Sequence, residues 1–187
     1  MADSNITKRA LASALRELME ELPFDKIQVA HICEKCGMNR KSFYYHFKDK
    51  YDLLNWIFDT EIISFVQDVS KKDRFEQRVE IIQDACDYFY ANRKFYRKAL
   101  KIEGQNSFKE HFREYIMPVL KINLAYRIGD MDEFELNFFA DAATCAIERW
   151  LLDKNCMPPD EFVSRLFRLV QRGAEALNKE LSQENNR

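Results

Sequence analysis

Three observations predict an all-α protein. Only four glycines and four prolines occur in 187 residues, while Ala, Leu, Glu, Lys and Phe are abundant, a balance that suits helix interiors. Apolar residues recur at the 3.6-residue helical period along almost the whole chain, and no stretch alternates at the two-residue period of a strand. Hydrophobic residues make up 47%, with 15 Phe, 8 Tyr and 2 Trp, which fills a core and argues against disorder. The expected architecture is an N-terminal three-helix helix-turn-helix module, residues 1–48, followed by a C-terminal helical bundle, residues 49–187.

The elements follow in order. Ser4 or Asn5 can cap a first helix whose apolar residues are Ile6, Ala10, Ala14, Leu15, Leu18 and Leu22, ended by Pro23-Phe24-Asp25. Phe24 and Ile27 are expected core plugs. Val29 to Lys35 forms a short second helix, and Gly37 ends it as a residue free to take positive φ. Asn39 caps a third, Arg40 to Tyr45. Asp49 caps a long fourth helix carrying Leu53, Leu54, Ile57, Phe58, Ile62, Phe65, Val66 and Val69. Beyond a break at Lys71-Lys72-Asp73, helices are expected at roughly 74–92, 94–102, 107–128, 132–154 and 159–181. Turn chemistry separates them at Asn92-Arg93, Gly104-Gln105-Asn106, Gly129-Asp130 and Cys156-Met157-Pro158-Pro159. Pro118 should kink or split the 107–128 segment. The chain ends in a polar tail, Gln183 to Arg187.

Helix, glycine turn and second helix within residues 28–45 is the spacing of a helix-turn-helix, whose second helix enters the major groove of duplex DNA. Arg40, Lys41, Ser42, Tyr44 and Tyr45 supply cations for phosphate and guanine, hydroxyls for either, and rings for thymine methyls. Gln28, His46, Lys48 and Lys50 flank helix ends, where backbone N–H groups and the helix dipole favour phosphate. Residues 35–50 carry five cations (Lys35, Arg40, Lys41, Lys48, Lys50) against Asp49 alone, although the net charge of the chain is only −2. A cationic patch on a mildly acidic body fits a regulator better than a general nucleic-acid coat.

No run of apolar residues is long enough to cross a membrane, and the N-terminus lacks the continuous apolar region of a signal peptide. Five cysteines, an odd number in a chain of this size, read as reduced thiols and a cytoplasmic location.

The residues of this N-terminal region resemble the TetR family of bacterial transcription regulators. The match runs through Ile6–Leu22, Phe24, Ile27, Val29, Ile32, Cys36-Gly37, Ser42-Phe43-Tyr44, His46-Phe47-Lys48, Lys50 and Leu53-Leu54. Its core is S-F-Y-Y-H-F-K-D-K followed by a Leu-Leu helix. NRKFYRKAL, GQNSF and the WIF segment are similar to the subgroup that includes dihydroxyacetone kinase operon regulators. The resemblance implies a homodimeric repressor on a palindromic double-stranded operator, its body controlled by a small-molecule effector or, alternatively, a protein co-regulator. It also implies that the last two long helices form a four-helix dimer interface. Their apolar stripes exceed what one buried face needs, which places Phe139, Ala142, Ala146, Trp150, Leu166, Val170, Gly173 and Leu177 there. Phe65, Phe89, Tyr90, Tyr96, Phe112, Tyr115 and Arg149 are the candidate lining of an effector cavity, with His111 and Arg113 as further polar anchors. Two departures stand out. Cys33 and Cys36 replace small aliphatic residues, and Lys41 adds a charge where a small residue is common.

Cys33-Glu34-Lys35-Cys36 spells C-x-x-C, which fits simple packing, a redox switch or half of a zinc site. No second ligand pair follows, and i, i+3 thiols on one helix face pack most simply as small apolar groups. An enzyme is not expected, and no cofactor or metal site is assigned. There is no phosphate-cradling glycine loop, and His31, His46 and His111 lack a partner set at motif spacing. A helical adaptor that uses the same motif for protein contacts remains the rival reading.

Overall fold

A computed structural model describes residues 2–70, 75–102, 108–128 and 131–184. Side chains at 2–3, 64, 66, 68–70, 75, 125–128 and 174–184 are not described, so the expectation for Leu177 and the breaks expected at 71–73, 104–106 and 129–130 lie outside the described residues. Within them the structure is helical throughout: α1 (Ala2–Glu21), α2 (Val29–Lys35), α3 (Arg40–His46), α4 (Lys50–Ser70), α5 (Phe75–Ala91), α6 (Arg93–Ala99), α7 (Phe108–Ile128), α8 (Glu133–Leu152) and α9 (Pro159–Glu184), with a 3₁₀ turn at Phe24–Lys26. Helix α1 starts before Ser4 and Asn5, so neither caps it, and Ile6 is exposed instead of packed. Pro118 is exposed and does not divide α7.

Local chemistry sets the ends. Asn39 Oδ1 accepts the Ser42 N–H at 2.8 Å and so caps α3. Asp49 Oδ1 accepts from the Tyr51 and Asp52 N–H groups, both at 2.8 Å, and caps α4. Asp132 and Glu135 cap α8 reciprocally, at 2.8 and 2.9 Å. Gly37, at φ +67°, makes the turn between α2 and α3. A Cβ there would meet nothing within 4 Å, so Gly37→Ala should cost only backbone strain, about 1–2 kcal/mol. Chemical denaturation checks this, and a loss under 0.3 kcal/mol would show that the turn relaxes.

The chain forms two compact units. One comprises residues 1–64 and 92–114, the other 65–91 and 115–187. In the first, Leu11, Leu15, Met19, Ile27, Ile32, Phe43, Leu53, Leu54 and Phe58 are fully buried. Phe58 is ringed by Tyr96, Phe108 and Phe112 with centroids 5.2–6.5 Å away. The three N-terminal helices therefore share a core with the first part of α4, with α6 and with the start of α7, a wider unit than residues 1–48. In the second unit α5 packs along α9. There Trp150 lies flat on Phe162, centroids 4.3 Å apart and planes at 5°, and stacks on Tyr90 at 6.2 Å.

Candidate nucleic-acid interface

Helix α3 is held from beneath by one ring. Phe43 is wholly buried, edge-on to Tyr44 at 5.4 Å and tilted against Phe47 at 5.9 Å. With that side chain fixed inward, the helical period turns Arg40, Lys41, Tyr44 and Tyr45 to solvent. Tyr44 is 58% and Tyr45 82% exposed, unusual for rings in a chain with so much core to fill. An open groove of about 400 Å³ runs beside them, and Arg40 and Tyr44 share its walls with Gln28, Val29 and Ala30 at the start of α2. Sequence reasoning missed Val29 and Ala30 because a small apolar residue carries no nucleic-acid signal of its own. They give the groove an apolar patch beside Arg40 and Tyr44.

The expected DNA residues divide once placed. Arg40, Lys41, Tyr44, Tyr45, Gln28 and Lys48 are all exposed. His46 is half-buried against the Tyr45 ring at 4.8 Å. Ser42 serves the helix as well, since its hydroxyl donates to Asn39 Oδ1 at 3.2 Å. Lys35 leaves the cationic patch and pairs with Glu17 at 3.3 Å and Glu21 at 3.7 Å. Lys50 departs furthest from its expected role. Its Nζ donates to the carbonyls of Phe24 (2.7 Å), Ile27 (2.8 Å) and Asp25 (3.3 Å). An ammonium has three N–H groups, so none is left for phosphate in this arrangement. Desolvation lowers the Lys50 pKa from the usual lysine value, opposed by Asp25 and Asp49.

The two cysteines of C-x-x-C sit in the packing position. Cys33 is buried, and Cys36 donates its thiol to the Ile32 carbonyl at 3.2 Å. Burial is the main cause that pushes both thiols above their ordinary pKa, which disfavours the thiolate that redox or metal chemistry requires.

Residues 11–57 match the family of bacterial regulatory proteins known as tetR, and residues 76–172 match the transcriptional regulator C-terminal region that accompanies it. The chain belongs to the TetR family of bacterial transcription regulators. Among TetR-family relatives, it is 25% identical over 154 residues to the HTH-type dhaKLM operon transcriptional activator DhaS of Lactococcus lactis subsp. lactis, covering 80% of this chain and 81% of DhaS. The solved structure of the dihydroxyacetone kinase operon activator DhaS superposes with a TM-score of 0.65 at 19% identity, covering 91% of this chain and 97% of that one. A TetR transcriptional regulator from Streptococcus agalactiae gives 0.69 at 16% identity, covering 90% and 96%. NalD of Pseudomonas aeruginosa, secondary repressor of the MexAB-OprM multidrug efflux pump, gives 0.64 at 17%, covering 91% and 97%. The chain is thus a TetR-type transcription regulator and not an enzyme, and DhaS among its relatives supports the subgroup resemblance.

The residues expected to line an effector cavity are divided between the two units. Tyr96 and Phe112 belong to the unit that contains α3. Tyr96 is wholly buried with its hydroxyl on Glu61 Oε2 at 2.8 Å, and Phe112 is 2% exposed. His111, an expected anchor, is engaged by Asp59 at 2.5 Å in the same unit. Phe65, Phe89, Tyr90, Tyr115 and Arg149 lie in the other unit. Of the expected interface residues, Trp150 is core. It is 4% exposed, and its Nε1–H donates to the Met157 carbonyl at 2.9 Å. Ala142 and Gly173 are exposed, while Phe139, Ala146, Leu166 and Val170 are half-buried. Among the described residues no helix is long and apolar enough to cross a membrane.

Proposed function

We propose that the protein binds a palindromic operator as a homodimer and represses the adjoining promoter, with control by a small effector in the helical body, residues 49–187. The observation that carries the DNA contact is α3 itself: Arg40, Lys41, Tyr44 and Tyr45 stand out from a helix anchored by the buried Phe43. Arg40 and Lys41 offer donors to guanine or phosphate, and the tyrosines offer rings and hydroxyls. Lys48, Gln28 and His46 flank the helix ends and contact the backbone.

A second copy of the chain is the proposed partner of α8 and α9. Phe134, Phe138, Ala142, Cys145 and Arg149 recur along one exposed stripe of α8, with Phe134 78% and Phe138 61% exposed. Leu169 on α9 is 69% exposed. A groove of about 490 Å³ lined by Ala142, Cys145, Ala146, Met157 and Phe162 offers such rings a seat. Apolar surface of this kind is rarely left to water, and an isologous contact would set two copies of α3 on successive half-sites. Repression needs only that the dimer cover the promoter, whereas activation needs a dedicated polymerase contact. DhaS, named an activator, and NalD, named a repressor, share the fold. Transcription in vitro from a promoter overlapping the selected site decides the sign, and a rise on adding protein would reverse it.

Selection of duplexes from a random pool tests the interface. The wild type should retain a palindrome, with binding that weakens steeply with salt as counterions are released. Lys41→Ala or Tyr44→Ala should change base preference at defined positions, and Lys48→Ala should weaken all sequences alike, lowering the salt slope by about one. No enrichment from the pool would leave the adaptor reading standing.

A further inference from the structure

Two lysines that a sequence would assign to a charged surface converge on one piece of backbone, the corner between α1 and α2. Lys98, on α6, donates its Nζ to the carbonyls of Met19, Glu20 (2.9 Å) and Leu22 (3.4 Å). Met19 and Glu20 carbonyls belong to the last turn of α1, where no intrahelical N–H can reach them. A cation there also meets the negative end of the helix dipole. Lys50, at the start of α4, takes the next carbonyls along the chain, those of Phe24, Asp25 and Ile27. Its ammonium lies 4.6 Å from the centre of the Phe24 ring. Between them the two side chains engage six carbonyls of residues 19–27, the end of α1 and the 3₁₀ turn that follows it.

That corner leads straight into the helix-turn-helix. Ile27 is 1% exposed and leads directly into Gln28, the N-cap of α2. Helix α2 in turn packs on α3. A second set of contacts ties α6 and α4 to α1. Arg16 pairs with Glu61, which also accepts the Tyr96 hydroxyl at 2.8 Å, and the Arg16 guanidinium lies 4.2 Å from the Phe95 ring centre. An ammonium directed at backbone carbonyls holds them without regard to side-chain identity, and here it acts beside the buried side chains of Phe24 and Ile27.

We propose that Lys50 and Lys98 are positioning residues for DNA binding, which staple the α1–α2 corner from α4 and from α6 and thereby fix the orientation of α3. The proposal rests on α3 being the DNA-reading helix, and it gives Lys50 a role other than a phosphate contact. It also names α6 as a second element, besides α4, whose placement reaches the reading helices.

The test uses the full chain and a duplex selected by the wild type from a random pool. Lys50→Met and Lys98→Met are measured across a salt series, at a temperature well below the unfolding midpoint of each variant. Each should weaken binding roughly tenfold while leaving the slope of log affinity against log salt unchanged. Lys48→Met, removing an exposed cation, should reduce that slope by about 0.9. A purely structural role would lower the unfolding midpoint and leave the affinity of the folded protein alone, which would overturn the proposal. A slope reduced by about one at Lys50→Met would make Lys50 a phosphate ligand and overturn it equally. If Lys50→Met does not fold, Lys50→Arg keeps the charge, but its planar fork cannot converge on three carbonyls. It should then show the same affinity loss at unchanged slope, and wild-type affinity would refute the staple. A wild type that selects no duplex overturns the DNA reading itself, and this proposal with it.

Discussion

Trp150→Ala is expected to lower the stability of the protein by about 3–5 kcal/mol. The indole is 4% exposed and lies flat between Phe162 and Tyr90, with its N–H on the Met157 carbonyl. Truncation removes the buried ring, opens a cavity between two aromatic faces and leaves that carbonyl without its donor. Stacked ring pairs contribute beyond their buried area, about 0.5–1.5 kcal/mol each. The measurement is chemical denaturation at two protein concentrations tenfold apart. A core role predicts the same stability difference at both. A difference below 1 kcal/mol, or one that vanishes at the higher concentration, would return Trp150 to the subunit interface.

Charging the exposed face of α8 and α9 should act on binding instead of folding. Phe138→Glu combined with Leu169→Glu places carboxylates on side chains that are 61% and 69% exposed in the single chain, so the fold has little to lose. In the proposed dimer the same positions are buried, each substitution occurs twice, and unpaired charges would have to be desolvated. The variant should sediment as a monomer at micromolar concentration. Its affinity for a palindrome should fall about a hundredfold or more, because linking two heads raises avidity by roughly 10²–10⁴, while a single half-site should bind as before. An intact dimer in this variant would mean that another face pairs the subunits. Loss of half-site binding as well would mean that the charges had disturbed the fold.

Much of the helical architecture is written locally. The Asn39 and Asp49 caps, the positive-φ Gly37 and the apolar period of each segment act within four residues, so α2, α3 and α4 begin within a residue of where the sequence places them. Phe43 between charged and polar neighbours already separates the core side of α3 from the solvent side, which made Arg40, Lys41, Tyr44 and Tyr45 legible. The S-F-Y-Y-H-F-K-D-K run and the Leu-Leu helix after it were enough to indicate the family. Less was legible in the second unit. An apolar stripe on α8 or α9 is the same pattern whether it faces the core or a second copy, and only packing separates Trp150, which is buried, from Phe138, which is not.

The sequence by itself determined that this chain is helical, where the helix proposed to read DNA lies and which side of that helix meets solvent, because those properties follow from residues one to four positions apart. Tertiary structure alone decided which cations remain available to DNA. Lys35 turns to Glu17 and Glu21, Lys98 reaches back to α1, and Lys50 finds its acceptors 23 to 26 residues earlier in the chain. A lysine is long enough to serve either water or a buried carbonyl. Which of the two it serves depends on backbone groups that only the folded chain brings within its reach.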